Sequence, residues 1–314
     1  MPHGWHGKLL VVDLEKGSCE YIDSEKELLK KYIGGRGIGA FYFLKYTQDP
    51  NVDPLGSRNL IILATGPLTA TPSPTAGRIS ASFRSPLTTT LTDTNLGGDF
   101  GFLMKTTGID TIIIKGKAPE PVYIYLDDKQ TKILPASHLW GKDNREVTSV
   151  LKRQHGKKAS VLSIGRAGEK LVRFACVINN SKRAFGRGGL GAVFGAKNLK
   201  AIVTVGGNKR PQIHSPADFQ DFRYEVLKHL TTHPVTSKVL KPLGTSGVLR
   251  LINEFHILGT RNFTSNHFAS ADKLSGESLR RSYLVRNYGC WGCPIACGRI
   301  SKVGSEEGGG PEFE

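Results

Sequence analysis

The chain has 314 residues, 39% of them hydrophobic, and a formal charge of +16. That length allows two domains and a sizeable core, and no apolar run approaches the roughly 20 residues that span a bilayer. The opening residues, Met1-Pro2-His3-Gly4-Trp5-His6-Gly7, lack the basic and apolar regions of a secretory signal, so the expectation is a cytoplasmic protein with no membrane partner.

Lys8–Asp13 and Ser18–Ile22 read as a hairpin turning at Glu15-Lys16-Gly17. Glu25–Tyr32 has helical periodicity, with Gly34-Gly35 as its stop. Leu60–Ala64 is a short β-rich run, followed by breaks at the Thr/Pro/Ser segment Thr69–Pro74 and at Ser85-Pro86-Leu87. Further β-rich runs lie at Thr111–Ile114 and Val122–Leu126. Arg145–Gln154 reads as a helix, and Val161–Ile164 and Ala201–Val205 as strands. A boundary near Gly206–Pro211 gives residues 1–208 as a strand-rich α+β domain and 209–314 as the start of a second, helical one. The expected helices there are Ala217–Leu230, Gly247–Phe255 and Glu277–Asn287. The tail from Glu306 to Glu314 has no element to tie it down, and the expectation is a chain cut short.

The positive charge is uneven. No acidic residue stands between Glu169 and Asp218, while Arg173, Lys182, Arg183, Arg187, Lys197 and Lys200 do. Gly186, Gly188, Gly189, Gly191 and Gly195 crowd the same segment. Glycine lets backbone N–H groups face an anion and arginine forks onto its oxygens, so the segment reads as either an anion site or a solvated basic surface. A nucleic-acid partner is disfavoured, because no basic motif interleaved with aromatics is present. Gly186-Arg187-Gly188-Gly189-Leu190-Gly191 and Gly35-Arg36-Gly37-Ile38-Gly39-Ala40 match dinucleotide fingerprints literally. The first lacks the later acidic residue and the second follows a helix, which argues against a Rossmann site in both. Their likeness to each other hints at two related half-sites.

Cys290, Cys293 and Cys297 form a C-x2-C-x3-C loop. Three thiolates on one loop suit an iron–sulfur cluster, which usually takes four. Pro294 stands where a c-type haem site needs histidine. Zinc would need a fourth ligand, for which only distant histidines offer themselves. An odd count of five cysteines argues against a disulfide framework. Cluster, zinc and a structural or redox thiol loop remain open on spacing alone. Cys19 and Cys176 read as packing residues.

Many motifs, in order, resemble the tungsten-containing aldehyde:ferredoxin oxidoreductase family over essentially the whole chain. They are Gly4-Trp5-His6-Gly7-Lys8, Ala64-Thr65-Gly66-Pro67-Leu68-Thr69, Gly77-Arg78, Asn95-Leu96-Gly97-Gly98, Trp140-Gly141, Arg183-Ala184-Phe185-Gly186-Arg187-Gly188-Gly189, Gly195 through Ile202, the cysteine loop and Gly310-Pro311-Glu312-Phe313-Glu314. The resemblance implies a saddle-like base of two sheets carrying a tungsten or molybdenum bis-pyranopterin. It places Arg78, Asn95, Gly97, Arg183 and Ala184 along the pterins. A magnesium ion would bridge the pterin phosphates through the backbone carbonyls of Asn95 and Ala184. Cys290, Cys293 and Cys297 would hold three corners of a [4Fe–4S] cluster, and Glu314 would be a catalytic carboxylate beside the metal. The implied reaction turns an aldehyde and water into a carboxylic acid, with electrons passing to ferredoxin. Family members are roughly twice this length, so a missing C-terminal half or separate subunit is an expected partner. The alternative is a non-catalytic cofactor-binding subunit or remnant of a split enzyme.

Overall fold

A computed structural model describes residues 3–47, 49 and 51–303, and the chain divides into two units, Met1–Pro216 and Ala217–Glu314. In the first unit β1 (Lys8–Asp13), β2 (Ser18–Asp23), α1 (Lys26–Tyr32), α2 (Gly35–Thr47), β3 (Ile61–Ala64), β4 (Ile79–Arg84), β5 (Leu91–Leu96), α3 (Phe100–Thr106) and β6 (Thr111–Lys115) come first. Then follow β7 (Val122–Asp127), β8 (Thr131–Pro135), α4 (Asn144–His155), β9 (Ser160–Ser163), α5 (Arg166–Glu169), β10 (Val177–Asn179), β11 (Arg183–Phe185), α6 (Leu190–Ala196) and β12 (Leu199–Gly206).

Alternation of side chains across each strand sets the layers. On β1, Leu10 and Val12 join Ile61, Leu63, Ile112 and Ile114 in a core shared with Ile124, Leu162, Val177 and Ile202 of the other sheet. Leu9 and Val11 point the opposite way, onto Leu28 and Leu29 of α1 and Ile38, Tyr42 and Phe43 of α2. The second sheet does the same: Tyr123, Val161, Ala201 and Val203 pack on Val147 and Leu151 of α4. Helices therefore cover the outer faces of two stacked sheets. Asp143 starts α4 as a capping box, accepting from the N–H groups of Arg145 and Glu146 while Glu146 accepts from the Asp143 N–H. α1 ends at Tyr32, as expected, but after a turn at Ile33 a second helix, α2, begins at Gly35, one not expected from the sequence.

The two sheets repeat one plan. The first runs β2-β1-β6-β3-β4-β5 and the second β8-β7-β12-β9-β10-β11, so each strand matches the one six places later. Every pairing sense agrees as well: hairpin, then one parallel pair (β1 with β6, β7 with β12), then three antiparallel pairs. Edge strand β5 adjoins edge strand β11, and β2 adjoins β8, where the Tyr21 and Thr131 hydroxyls lie 2.8 Å apart. The duplication corrects the reading of the two Gly-Arg-Gly runs as half-sites. One lies between β2 and β3 and the other between β11 and β12, so they are not repeat mates. The segment that matches Gly186–Gly189 is the turn at Gly97-Gly98 between β5 and α3.

The second unit holds α7 (Pro216–Thr232), a π-helical turn at Val235–Leu240, α8 (Lys241–Leu243), α9 (Leu249–Glu254), α10 (Gly276–Ser282) and a hairpin of β13 (Leu284–Tyr288) with β14 (Gly298–Ser301). The expected helix Glu277–Asn287 ends at Ser282. Leu284 and Arg286 through Tyr288 pair instead with β14, with an irregularity at Val285, so the cysteine loop is a hairpin loop. Among the described residues no helix is long and apolar enough to cross a membrane.

Candidate functional site

A cavity of about 570 Å³ opens where β5 and β11 come together, lined by Arg36, Arg78, Thr94, Asn95, Ala184, Gly186 and Arg187. Each residue arrives by a different route. Arg36 is the second residue of α2, Arg78 directly precedes β4, and Thr94 and Asn95 lie on β5. Ala184 is on β11, and Arg187 follows that strand, its backbone N–H donating to Thr94 Oγ1 at 3.3 Å. Asp93 orients two of the group: its Oδ2 lies 3.6 Å from Arg36 Nε and accepts from Asn95 Nδ2 at 3.0 Å. Three guanidinium groups thus surround one concave space, and among the described residues no carboxylate lines it.

Of the residues expected to bind cofactor, Arg78, Asn95 and Ala184 share this lining. Arg183 and Gly97 do not. Arg183 opens β11, and its Cγ stands against Gly98, the neighbour of the buried Gly97. Gly98 has φ +96, and a Cβ there would press on Asn179 Oδ1, so the turn needs glycine. That Asn179 oxygen is buried with no hydrogen-bond partner, as is the Oγ of Ser80, which faces Asn95 across β4 and β5. Arg36, from the Gly35–Ala40 run, joins the site without having been assigned to it from sequence.

Arg78 also lines a second cavity of about 410 Å³, with Ile33, Gly66, Pro67, Leu68, Thr69, Pro74, Thr75 and Ala76. A buried ion pair sets its wall. Lys105 Nζ lies 2.6 Å from Asp110 Oδ1 and donates to the Gly66 carbonyl at 3.0 Å. Asp110 Oδ2 accepts from the Gly7 N–H at 2.6 Å, and its carbonyl accepts from Thr65 Oγ1 at 3.0 Å. Burial pulls the Lys105 and His6 pKa values down, against the pull of Asp110. The motifs at Gly4–Lys8 and Ala64–Thr69 therefore meet at Asp110, which fixes the loop beside Arg78.

The acid-free segment is only partly an anion surface. Lys197 is fully buried and donates to the carbonyls of Ser57 at 3.0 Å and Gly116 at 2.8 Å. Lys200 is buried too, paired with Glu169 and donating to the Lys142 carbonyl at 2.9 Å. Glu169 in turn accepts from the Gly141 N–H at 2.9 Å, which accounts for the Trp140-Gly141 motif. Burial lowers the Lys197 pKa to about 8. Below that pH it is charged in both folded and unfolded chains. Between about 8 and its unfolded value near 10.4 it is neutral only when folded, so stability rises with pH across that window. Relative to Lys197→Met, the wild-type chain is expected to gain roughly 2–3 kcal/mol between pH 7.5 and 10.5, read from denaturant titrations. A pH-independent difference would contradict it.

The three cysteines of the second unit are half-buried on the β13–β14 loop. The Cys293 N–H donates to the Cys290 carbonyl at 3.1 Å, closing the first turn. Among the described residues, no three His, Cys, Asp or Glu side chains converge as a ready single-ion site. Arg299, buried just beyond the loop, donates from Nη1 to Asn287 Oδ1 at 2.8 Å and to the carbonyls of Ala296 at 3.1 Å and Gly298 at 2.8 Å. Its Nη2 donates to the carbonyls of Leu240 at 2.7 Å and Lys241 at 2.5 Å. Glu314 and Glu312 lie outside the described residues. Cys19 and Cys176 are half-buried, and burial raises both thiol pKa values.

A duplicated two-sheet unit joined to a three-thiol hairpin is the architecture of a class of oxidoreductases. The solved active-site complex BamBC of benzoyl coenzyme A reductase matches 98% of this chain and 48% of its own, with TM-score 0.84 and 31% identity. The aldehyde ferredoxin oxidoreductase N-terminal domain profile matches residues 9–206, and the profile of that family's domains 2 and 3 matches 221–314. The chain belongs to the aldehyde ferredoxin oxidoreductase family, as its motifs implied. It is 44% identical over 315 residues to the tungsten-containing aldehyde ferredoxin oxidoreductase of Pyrococcus horikoshii, covering 99% of this chain and 51% of that protein. For the Pyrococcus furiosus enzyme of that name the identity is 42%, covering 99% and 52%. The chain therefore spans about half the length of the curated relatives it matches.

Proposed function

We propose that this chain supplies the cofactor-seating domain and the cluster loop of a tungsten-dependent aldehyde oxidoreductase, which converts an aldehyde and water to a carboxylic acid and passes electrons to ferredoxin. The observation that carries the reading is the arginine-lined cavity at the seam of the duplicated unit. Its chemistry fits a pterin bearing phosphate: three guanidinium groups line the space, and Gly186 beside Arg187 lets backbone approach. The tungsten bis-pterin, when bound, supplies the two-electron chemistry. Arg78, Asn95, Gly97, Arg183 and Ala184 hold it, with Arg36 and Arg187 adding charge. Strands β5 and β11 are both sheet edges, and an edge carries backbone groups its own sheet does not use. The carbonyls of Asn95 and Ala184 suit a magnesium ion that neutralises the phosphates. Cys290, Cys293 and Cys297 offer the donor set of a [4Fe–4S] cluster; such a cluster spreads its ligands over several irons and needs no common point. Glu314 is the proposed carboxylate that moves a proton as the carbonyl is hydrated. The greater identity to aldehyde enzymes than to the benzoyl coenzyme A reductase complex favours an aldehyde as substrate.

The test is expression of residues 1–314 in a host that makes tungsten pterin. Tungsten and releasable pterin phosphate are expected to co-purify with the chain. Aldehyde-dependent viologen reduction is expected only once the half that the relatives possess is supplied. A folded chain with neither tungsten nor pterin would sink the reading, and full turnover by residues 1–314 alone would overturn the dependence on a second half.

A further inference from the structure

We propose that Arg299 is a positioning residue of the cysteine centre: its buried guanidinium clamps the three-thiol loop to the end of the Val235–Leu240 turn and fixes a positive charge beside Cys297. The inference rests on the reading that these thiols hold an iron–sulfur cluster.

The geometry is that of a cross-link. Nη1 takes the carbonyls on both sides of Cys297, those of Ala296 and Gly298. Nη2 takes the carbonyls of Leu240, the last residue of the turn, and of Lys241, the first of α8. Asn287, which faces Arg299 across the hairpin, binds the guanidinium through Oδ1 and the Lys241 carbonyl through Nδ2 at 3.0 Å. Gly244 brings the chain so close to the Cys297 carbonyl that a Cβ would stand 2.8 Å from it. The loop's C-terminal ligand is thus held from two sides.

An arginine that only capped a helical turn would need neither Asn287 nor the carbonyls that flank Cys297. Here one cation, 6% exposed, is shared between the turn and the ligand loop. Its Nε–H is buried and makes no hydrogen bond. Guanidinium stays charged under all ordinary conditions. A fixed positive charge near a cluster favours its reduced, more negative form, and local charge is a recognised control of cluster potential. Five charge-assisted hydrogen bonds also hold the loop against fraying.

The experiment compares wild type, Arg299→Lys and Arg299→Gln in the full chain. Hydrogen exchange on metal-free protein reports the clamp, and reductive titration followed by EPR reports the charge. Arg299→Gln is expected to exchange amides 290–298 at least about tenfold faster and to shift the cluster's reduced-to-oxidised ratio at fixed poise roughly tenfold toward oxidised. Arg299→Lys keeps charge but loses the fork, so it should exchange faster while holding its potential near wild type. Wild-type exchange in both variants overturns the clamp. An unchanged potential in Arg299→Gln overturns the charge role. If wild-type protein holds stoichiometric zinc and no cluster, the cluster reading and the charge role fail together, while exchange on the metal-free chain still decides the clamp. Should Arg299→Gln not fold, Arg299→Lys decides both roles: wild-type exchange refutes the clamp, and a potential shifted as far as tenfold refutes control by charge.

Discussion

Replacing Arg36, Arg78 and Arg187 together by glutamine is expected to strip the protein of tungsten and pterin while leaving its fold intact. All three side chains are exposed at the cavity and none is built into the core. The ion pair of Arg36 with Asp93 at 3.6 Å is a surface pair worth little to stability. Their contribution to a bound phosphate is another matter. A hydrogen bond to a charged group is worth about 1.5–3 kcal/mol, so losing three removes roughly 5–9 kcal/mol, or at least about a thousandfold in affinity. Tungsten by mass spectrometry, pterin by fluorescence after oxidative release, and a thermal melt form the measurement. A variant that melts as wild type and keeps its full tungsten would show that the cavity is not the cofactor seat.

Lys105→Met is expected to cost about 3–5 kcal/mol of folding stability, because it strands the Asp110 carboxylate in a dry interior. Removing both charges is a milder insult. Lys105→Met with Asp110→Leu should cost only about 1–3 kcal/mol, the toll of a Gly7 N–H left without its acceptor. Urea titration of the two variants gives the comparison. A double variant less stable than Lys105→Met would mean that the lone Asp110 carboxylate costs less than the bond it gives the Gly7 N–H. The same change frees the Gly66 carbonyl, so the loop beside Arg78 should exchange amide hydrogens faster.

Apolar runs decided which strands were legible, apart from β2, marked by its hairpin turn; β4 is buried, but Ser80 and Ser82 break its run and it went unread. β1, β3, β6, β7, β9 and β12 sit at or near the middle of their sheets, and their apolar runs announced them. β5, with Thr92, Asp93, Thr94 and Asn95, is a polar edge strand, and β10 and β11 have three residues each. No periodicity reveals such segments, yet they carry the cavity. Charge counting misled for a related reason. It recorded Lys197 and Lys200 beside Arg187 without direction, and the first two turn inward to satisfy carbonyls and Glu169. Arg78, Asn95 and Ala184 were legible only through the family resemblance, since the loops that assemble them are separated by up to a hundred residues. The cysteine spacing was plain, but the strand after α10 was not, because Leu284–Tyr288 gains its partner only from residues beyond the loop.

The duplicated plan is symmetric in backbone and asymmetric in charge. Arg78 stands immediately before β4; at the equivalent place before β10 stands Cys176, half-buried and bonded weakly to the Phe174 carbonyl. Arg36 is the second residue of a helix on one half, and the matching helix on the other half carries Arg145 at its second place, after Asn144, whose side chain turns inward to the Ser163 carbonyl at 2.8 Å. An anion bound at the seam therefore meets a guanidinium from one half where the other half offers a thiol, a polarity that the strand order by itself would never reveal.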